Sequence, residues 1–178
     1  MPDIPLGNGN FLSLAVGAGK DGNIYVMGRS GSFMGEYNGS TDNIIATLKD
    51  ALANGASSSP AYFNETLYYG GIQDSVKAIP LASGSTSESG NTLGPAGATP
   101  VISANATSTP VAWVLDTTAS DGPVLYAYDA TDLTTLYNSP TQTSGAVDAT
   151  SKYSVPVVAN GHVYIGTQTG VNVFGLLP

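Results

Sequence analysis

Hydrophobic and polar positions alternate along this chain in a short pattern that returns four times. Each copy places an aromatic residue between apolar neighbours, and three copies follow an Asx-containing turn and precede a glycine. The copies are 24–26, 67–69, 112–114 and 163–165. Alternation with a period of two is typical of a half-buried β-strand. Each copy therefore predicts one strand of a repeated unit.

The aromatic residues Tyr25, Tyr68, Trp113 and Tyr164 are separated by 43, 45 and 51 residues. A repeat of this length is one supersecondary unit that must stack on its neighbours to bury its apolar face. The pattern predicts an all-β fold, a β-propeller of about four blades with three to four antiparallel strands each. The approximate blades are 8–50, 57–95, 98–140 and 152–178 of a single domain, 1–178.

Short apolar runs between turn-forming residues predict the strands of each blade. They are 11–16, 24–27, 33–37 and an outer 44–48, then 61–63, 66–69 and 75–79, then 99–103, 111–115, 124–129 and 134–137, and last 154–158, 162–166 and 170–176. A helix over 43–53 stays open as an alternative, because Ile44, Leu48 and Leu52 also fit a helical spacing. The Ser- and Gly-rich stretch 82–94 is predicted to be a surface excursion.

The number of blades leaves three arrangements open. The chain fits a closed small propeller, half of an eight-bladed ring that a partner completes, or a fragment of a longer propeller. The fourth blade has no room for an outer strand before residue 178. The segment 5–14 is expected to supply that strand, because added pairing removes an exposed sheet edge.

Composition narrows the classes of partner. Thirteen acidic residues against five basic ones give a net charge of −8, and the basic residues are scattered singly. No basic stripe can neutralise phosphates, which argues against nucleic-acid binding. No apolar run approaches the roughly 18 residues of a membrane helix, and the start lacks the features of a signal peptide. The absence of cysteine excludes disulfides and thiolate metal sites.

The closing segment 154–176 contains the run VPVVANGHVYIGT, which includes a tight Asn-Gly hairpin signal. It resembles the last blade of quinoprotein-like (PQQ-like) β-propellers, and LYAYDA at 125–130 resembles a third strand of that family. Members usually have about seven or eight blades. The family's oxidation chemistry needs Ca²⁺ ligands, an Arg or Lys, a stacking Trp and a complete ring. Because Arg29 and Trp113 are the sole residues of their types, the resemblance implies the blade and not the cofactor.

Loops between the second and third strands of the blades are expected to cluster on one face. Such loops commonly carry binding residues on a rigid scaffold. The candidate binding residues on this loop face are Arg29, Asp74, Asp116, Asp121 and Gln168. No residue is assigned a catalytic or metal-binding role.

Other side chains with possible chemistry have simpler interpretations. His162, the single histidine, is expected to be an exposed turn residue rather than a base or a metal ligand. The pairs Asp116 with Asp121 and Asp129 with Asp132 have oxygens that suit Ca²⁺, but Asx turns are favoured. The four repeated aromatics are expected in the core rather than on a sugar-stacking platform. No cofactor is therefore predicted, with Ca²⁺ kept as an alternative.

The function that these patterns favour is a non-catalytic propeller module that binds a protein or glycan partner, bacterial and outside the cytoplasm. One alternative is a structural subunit that pairs half-propellers into a full ring, which would make the protein a homo-oligomer. The other is a fragment of a quinoprotein-like or glycan-active propeller enzyme.

Overall fold

The computed structural model describes residues 3–5, 11–29, 39–40, 44–81 and 84–175. Every regular element in these ranges is a β-strand, and they contain no helix, hence none able to span a membrane. The strands are β1 Ile4–Pro5, β2 Phe11–Leu12, β3 Leu14–Ala18, β4 Ile24–Gly28, β5 Ile44–Leu48, β6 Ala61–Phe63, β7 Thr66–Gly70, β8 Ser75–Pro80, β9 Ser87–Thr92, β10 Val101–Asn105, β11 Ser108–Asp116, β12 Val124–Asp129, β13 Thr135–Asn138, β14 Val157–Ala159, β15 His162–Gly166 and β16 Val171–Gly175.

Strands that follow one another in the chain pair antiparallel and form four sheets. The first sheet is β3-β4-β5, the second is β6-β7-β8-β9, the third is β10-β11-β12-β13, and the fourth is β14-β15-β16. The short strands β1 and β2 pair with each other. The opening strand β10 of the third sheet contacts the opening strands β6 and β14 of its neighbours. The predicted all-β, propeller-like fold of four sheets is confirmed.

Asx-containing turns at the predicted places close the hairpins. Asn160 and Gly161 have φ angles of 50° and 74° between β14 and β15, and Asn64 and Glu65 have 43° and 59° between β6 and β7. Positive φ at both central positions is the type I′ geometry, whose twist matches that of paired strands. Asn and Gly tolerate this conformation, whereas Glu65 adopts it at a steric cost.

Two details of the predicted strands are wrong. Residues 87–92 form β9, the outer strand of the second sheet, although the stretch is polar and was expected to be an excursion. An outer strand with little buried surface needs few apolar residues. Ile44–Leu48 is a strand, as predicted, but it pairs directly with β4 and takes the third position rather than the fourth. The predicted strand 33–37 lies outside the described residues.

The described part of segment 5–14 does not complete the fourth sheet. Pro5 pairs with Phe11, and Leu14 begins β3 of the first sheet. The fourth sheet has three strands, with β16 at its outer edge. The expected closure through this segment is therefore wrong for the residues that the structure describes.

Within the described residues, three clusters of buried side chains join successive sheets. The first cluster lies between the first and second sheets, the next between the second and third, and the last between the third and fourth. Their central residues are Ile24, Leu67 and Tyr69, then Tyr68, Val76 and Val114, then Leu115, Val163 and Ile165. Each inner sheet is thus apolar on both faces, as a sheet between two neighbours must be.

Hairpin pairing shows which positions of different sheets are equivalent. The first paired residue of the second strand is Ile24 in β4, Thr66 in β7 and His162 in β15. Counted from these residues, the closing glycines of the three strands come into register; they are Gly28, Gly70 and Gly166.

This register corrects the first copy of the sequence repeat. Val26, and not Tyr25, is equivalent to Tyr68 and Tyr164, so Tyr25 lies on the opposite face of its sheet. The hairpin before β4 has the five-residue loop 19–23, whereas two-residue loops precede β7 and β15. Since side chains alternate between faces, a one-residue offset moves the aromatic ring to the other side of the sheet.

Candidate functional site

Asp74, one of the predicted loop-face residues, is buried and holds a linker between sheets. Its carboxylate accepts hydrogen bonds from the backbone N–H of Ala53 at 2.8 Å and of Ser75 at 2.8 Å. Ala53 belongs to the segment that leads from β5 to β6. The carboxylate thereby ties the loop between β7 and β8 to the connection from the first sheet.

Asp116 has the same role one sheet further on. Its buried carboxylate accepts hydrogen bonds from the N–H of Gly94 at 2.7 Å and of Thr118 at 2.9 Å. Gly94 belongs to the connection from the second sheet, and Thr118 Oγ1 accepts a further bond from the N–H of Ala96 at 3.0 Å. The repetition of this arrangement identifies both aspartates as residues that position the linkers. Their oxygens are already occupied by N–H donors, which leaves them poorly placed to meet a ligand.

Lys77 lies beside Asp74 and forms the strongest charge cluster near the predicted face. Its Nζ is 3.4 Å from Asp74 Oδ1 and 2.8 Å from Glu88 Oε1. Burial lowers the pKa of the Lys77 ammonium, but the hydrogen bond to Glu88 and the charges of Asp74 and Glu88 outweigh burial and raise it. The hydrogen bond from Lys77 and one from Ser75 lower the pKa of Glu88. Lys77 and Glu88 therefore stay ionised near neutral pH.

The other three predicted residues are exposed. Arg29 forms an ion pair with Asp3, with Nη2 2.6 Å from Oδ1. Asp121 is exposed in the loop between β11 and β12, where its carbonyl accepts a long hydrogen bond of 3.4 Å from Gln142 Nε2. Gln168 is held through its backbone N–H, which donates to Ala149 O at 2.8 Å. The loop face stays a predicted binding surface, with Asp121 and Gln168 as its accessible members.

Asx turns hold Asp129 and Asp132, one of the two aspartate pairs that were considered for Ca²⁺. Asp129 accepts hydrogen bonds from the N–H and hydroxyl of Thr131 at 2.8 and 2.6 Å, and Asp132 accepts one from Thr134 N–H at 2.8 Å. The bonds from the Thr131 side chain and backbone lower the pKa of Asp129. In the described ranges, no three acidic or histidine side chains gather into a metal-binding group.

The single histidine and the repeated aromatics occupy different environments. His162 is exposed at the start of β15, as expected, and its Nδ1 lies 2.9 Å from Asn160 O. Tyr68 is buried and donates to Ala130 O at 2.8 Å. Trp113 is half-buried, with Nε1 donating to Ser103 Oγ at 2.8 Å. Tyr164 is half-buried as well, so core packing, which was expected for all four aromatics, holds fully for Tyr68 alone.

The fourth sheet has an uncovered apolar face, which we call the forward face. It contains Val157, Tyr164 and Val173, which pair directly across β14, β15 and β16, together with Val171. The side chains of Val157, Val171 and Val173 are 60%, 61% and 53% exposed. The opposite face of the same sheet packs Val163 and Ile165 against the third sheet.

The equivalent face of the second sheet is buried. By the hairpin register, the forward-face residues correspond to Ala61, Tyr68, Val76 and Ala78. Val76 is fully buried there, because the third sheet covers this face. The forward face of the fourth sheet thus has the side chains of an interface, and no sheet among the described residues covers it.

The first sheet ends the array with the complementary surface, which we call the rear face. It contains Gly17, Tyr25, Met27 and Thr47, since Tyr25 pairs with Gly17 and Thr47 across β3, β4 and β5. Met27 is 37% exposed. The Tyr25 hydroxyl donates to Asp21, and this hydrogen bond is the main reason that the pKa of Asp21 is lowered.

The rear face is also equivalent to a surface that is buried elsewhere in the chain. Tyr25 and Met27 correspond to Leu67 and Tyr69, which pack the rear of the second sheet against the first. The sequence contained a signal for both end faces: β4 has apolar residues on both of its sides, and β16 has Val171 and Val173 on one side and Phe174 on the other. That signal was missed, because apolar residues on both faces were expected to have neighbours.

Two shallow depressions lie elsewhere on the described surface. One, of about 270 Å³, lies between the hairpins of the second and third sheets and is lined by Phe63, Tyr68 and uncharged polar residues. The other, of about 310 Å³, lies beside Asp121 and Tyr126. Neither contains a buried charged group that would select a ligand.

Comparisons with known proteins support the fold alone. No protein-family model and no curated protein matches the chain. Among solved structures, the chain is similar to the computationally designed Ika4 protein, with a TM-score of 0.62 and 14% identity over 92% of this chain and 86% of Ika4. It is also similar to the computationally designed Ika8 protein, with a TM-score of 0.61 and 15% identity over 96% of this chain and 51% of Ika8.

The fold and these similarities define the protein as a propeller-like array of four antiparallel sheets. The chain matches nearly the whole of one solved chain and half of another at almost the same TM-score. The resemblance to quinoprotein-like propellers stays a prediction from the sequence.

Proposed function

We propose that this protein is a non-catalytic interaction module that binds another protein through the forward face of its fourth sheet and the rear face of its first sheet. The observation that carries the proposal is the exposure of Val157, Val171 and Val173, whose equivalents in the second sheet are covered by a neighbouring sheet. Soluble proteins rarely expose contiguous apolar surface without a partner for it.

The chemistry of both faces suits a protein partner. The forward face consists of three valines and one tyrosine, and the side chains of the rear face are Gly, Tyr, Met and Thr. The chain as a whole has a net charge of −8. Depletion of charge within an otherwise acidic surface is the composition that marks the centre of protein interfaces.

The buried carboxylates support a role without catalysis. Asp74 and Asp116 are bound by backbone N–H groups, and an acid or base needs an accessible proton site beside a substrate. Arg29, the sole arginine that a quinone site could use, is paired with Asp3. The resemblance to quinoprotein-like propellers supports a bacterial module outside the cytoplasm, and the proposal adopts that location.

A hydrophobic dye tests whether the forward face binds apolar groups. We expect native protein, diluted until light scattering shows single chains, to enhance the fluorescence of anilinonaphthalene sulfonate, and the V171D/V173D variant to lose most of that enhancement. Leu136→Asp is the matched control, since Leu136 is 57% exposed on β13 and away from both end faces. Equal enhancement by the native protein and V171D/V173D would contradict the proposal.

A second measurement tests the absence of quinone chemistry. We expect pyrroloquinoline quinone with Ca²⁺ to leave the melting temperature and the quinone absorption spectrum unchanged. A rise in melting temperature that needs both components would show a cofactor site, and the proposal of a non-catalytic module would then fail.

A further inference from the structure

We infer that the partner for both end faces is a second copy of this chain, so that two chains form one closed ring of eight sheets. The inference rests on the proposed function, because the end faces must bind protein for it to hold. In the ring, the forward face of each fourth sheet packs on the rear face of the partner copy's first sheet.

The internal interfaces supply the geometric reason. Three times within the described chain, the forward face of one sheet packs on the rear face of the next. The two end faces present the same register positions, with Tyr164 equivalent to Tyr68 and with Tyr25 and Met27 equivalent to Leu67 and Tyr69. A contact between end faces is therefore another copy of an interface that this sequence already builds.

The same chain does not cover its own forward face. Val171 and Val173 are 61% and 53% exposed with the first sheet present, so the rear face does not lie on them. In a pair of chains, the rear face of the second copy can cover the forward face of the first, and the rear face of the first copy can cover the forward face of the second. Two copies related by a two-fold axis satisfy both faces at once and leave neither uncovered.

Side-chain chemistry fits the pairing. The forward face presents Tyr164, Val171 and Val173, and the rear face presents Tyr25 and Met27 beside Gly17 and Thr47. No acidic or basic side chain is among them, and the carboxylate that borders them, Asp21, is already bound by the Tyr25 hydroxyl, so two chains of net charge −8 meet through mainly uncharged groups. The similarity to half of the longer Ika8 chain shows that this array also superposes on part of a chain about twice as long.

Solution mass is the first test. We expect light scattering to give twice the 18.0 kDa of one chain at micromolar concentration. Val173→Asp should weaken the association by about a hundredfold or more, because it buries an unpaired charge. Val173→Ile keeps the face apolar and should retain the dimer, as should Leu136→Asp. Circular dichroism must show that each variant is folded, which the exposure of Val173 and Leu136 favours.

Cross-linking tests which faces meet. The chain has no cysteine, so each introduced thiol is unique. We expect a short bismaleimide to join Met27→Cys in one copy to Val173→Cys in the other, and Leu136→Cys to join neither. The M27C/V173C variant should give covalent dimers and no ladder of larger species, since a two-copy ring has two closed contacts.

The possible failures separate the inference from the proposed function. A mass of one chain, with dye binding that V171D/V173D abolishes, overturns the second copy as partner and leaves the binding face intact. Preferential joining of Val173→Cys to itself, or a ladder of cross-linked chains, overturns the two-fold ring. Absence of both self-association and dye binding from the native protein overturns the proposed function as well.

Discussion

Two buried tyrosines show how a single hydrogen bond decides whether a buried hydroxyl raises or lowers the stability of the fold. The Tyr128 hydroxyl donates to Asn91 Oδ1 at 2.6 Å, between the second and third sheets. The Tyr69 hydroxyl, in the apolar interface between the first and second sheets, has no hydrogen-bond partner among the described atoms. Burial raises the pKa of Tyr69 to about 12. A buried donor without a partner costs about 1–3 kcal/mol of folding free energy.

Tyr69→Phe is therefore expected to stabilise the protein by about 1 kcal/mol, because it removes the unpaired hydroxyl and keeps the ring. Calorimetry should show a melting temperature higher by about 2–4 °C. Tyr128→Phe, the matched change, should lower it by a similar amount, since it leaves Asn91 Oδ1 without its donor. A lower melting temperature for Tyr69→Phe would contradict the assignment of an unpaired hydroxyl.

The same substitution is expected to change stability at alkaline pH. The pKa of Tyr69 is raised in the folded state, so folding favours the neutral hydroxyl. The resulting part of the free energy of unfolding is fully present below the unfolded pKa of about 10 and is lost as pH rises toward 12. The free energy of unfolding of Tyr69→Phe should therefore fall less between pH 10 and 12 than that of the native protein. Urea titrations at pH 10 and pH 12 measure the free energy of unfolding of both proteins. An equal fall between the two pH values would contradict the prediction.

Asp116 is the residue for which loss of a side chain should cost most. Asp116→Ala leaves the N–H groups of Gly94 and Thr118 without their acceptor, and we expect about 3 kcal/mol of destabilisation. Asp121→Ala is the control, because an exposed loop residue should change stability by no more than about 0.5 kcal/mol. Urea unfolding measures both. A small effect at Asp116 would show that the linker does not depend on its carboxylate.

At the scale of the element, the residue types in each turn decide how much backbone strain the hairpin contains. The loop before β15 uses Asn160 and Gly161, whereas the loop before β7 uses Asn64 and Glu65 in the same conformation. Left-handed backbone costs a non-glycine residue roughly 1–2 kcal/mol. The second sheet accepts this cost because its two faces are both buried against neighbours.

Glu65→Gly is expected to stabilise the hairpin by about 0.5 kcal/mol, since relief of strain slightly exceeds the added entropy of the unfolded chain. Glu65→Ala removes the same charge and keeps the strain, which makes it the control. The urea midpoint should rise for the glycine variant alone, with an unchanged dependence on denaturant. A rise for both variants would assign the effect to the charge of Glu65.

At the scale of the whole molecule, the uncovered faces make stability depend on concentration. Association that occurs only between folded chains stabilises them by mass action. We expect the melting temperature of the native protein to rise with each tenfold increase in concentration, and that of Val173→Asp to stay constant. A melting temperature of the native protein that does not change would contradict self-association.

Much of the fold was predictable because its signals are local. Alternating apolar residues and Asx turns predicted most strands, the four sheets and their antiparallel order. The polar strand β9 was missed, since an edge position needs hydrogen bonds and few apolar side chains. The register of Tyr25 was wrong by one residue, because a hairpin loop of different length shifts the faces without altering the motif.

The candidate site was less predictable, for a physical reason. The residue types and their spacing predicted that Asp74 and Asp116 lie in loops between strands. They did not predict where the carboxylates point, because the N–H groups that they bind belong to linkers some 20 residues away. The sequence by itself determined the repeat, the strand pattern and the absence of charge along the end strands. Only the tertiary structure decided which faces are covered, because burial depends on the sheet that lies opposite and not on the strand itself.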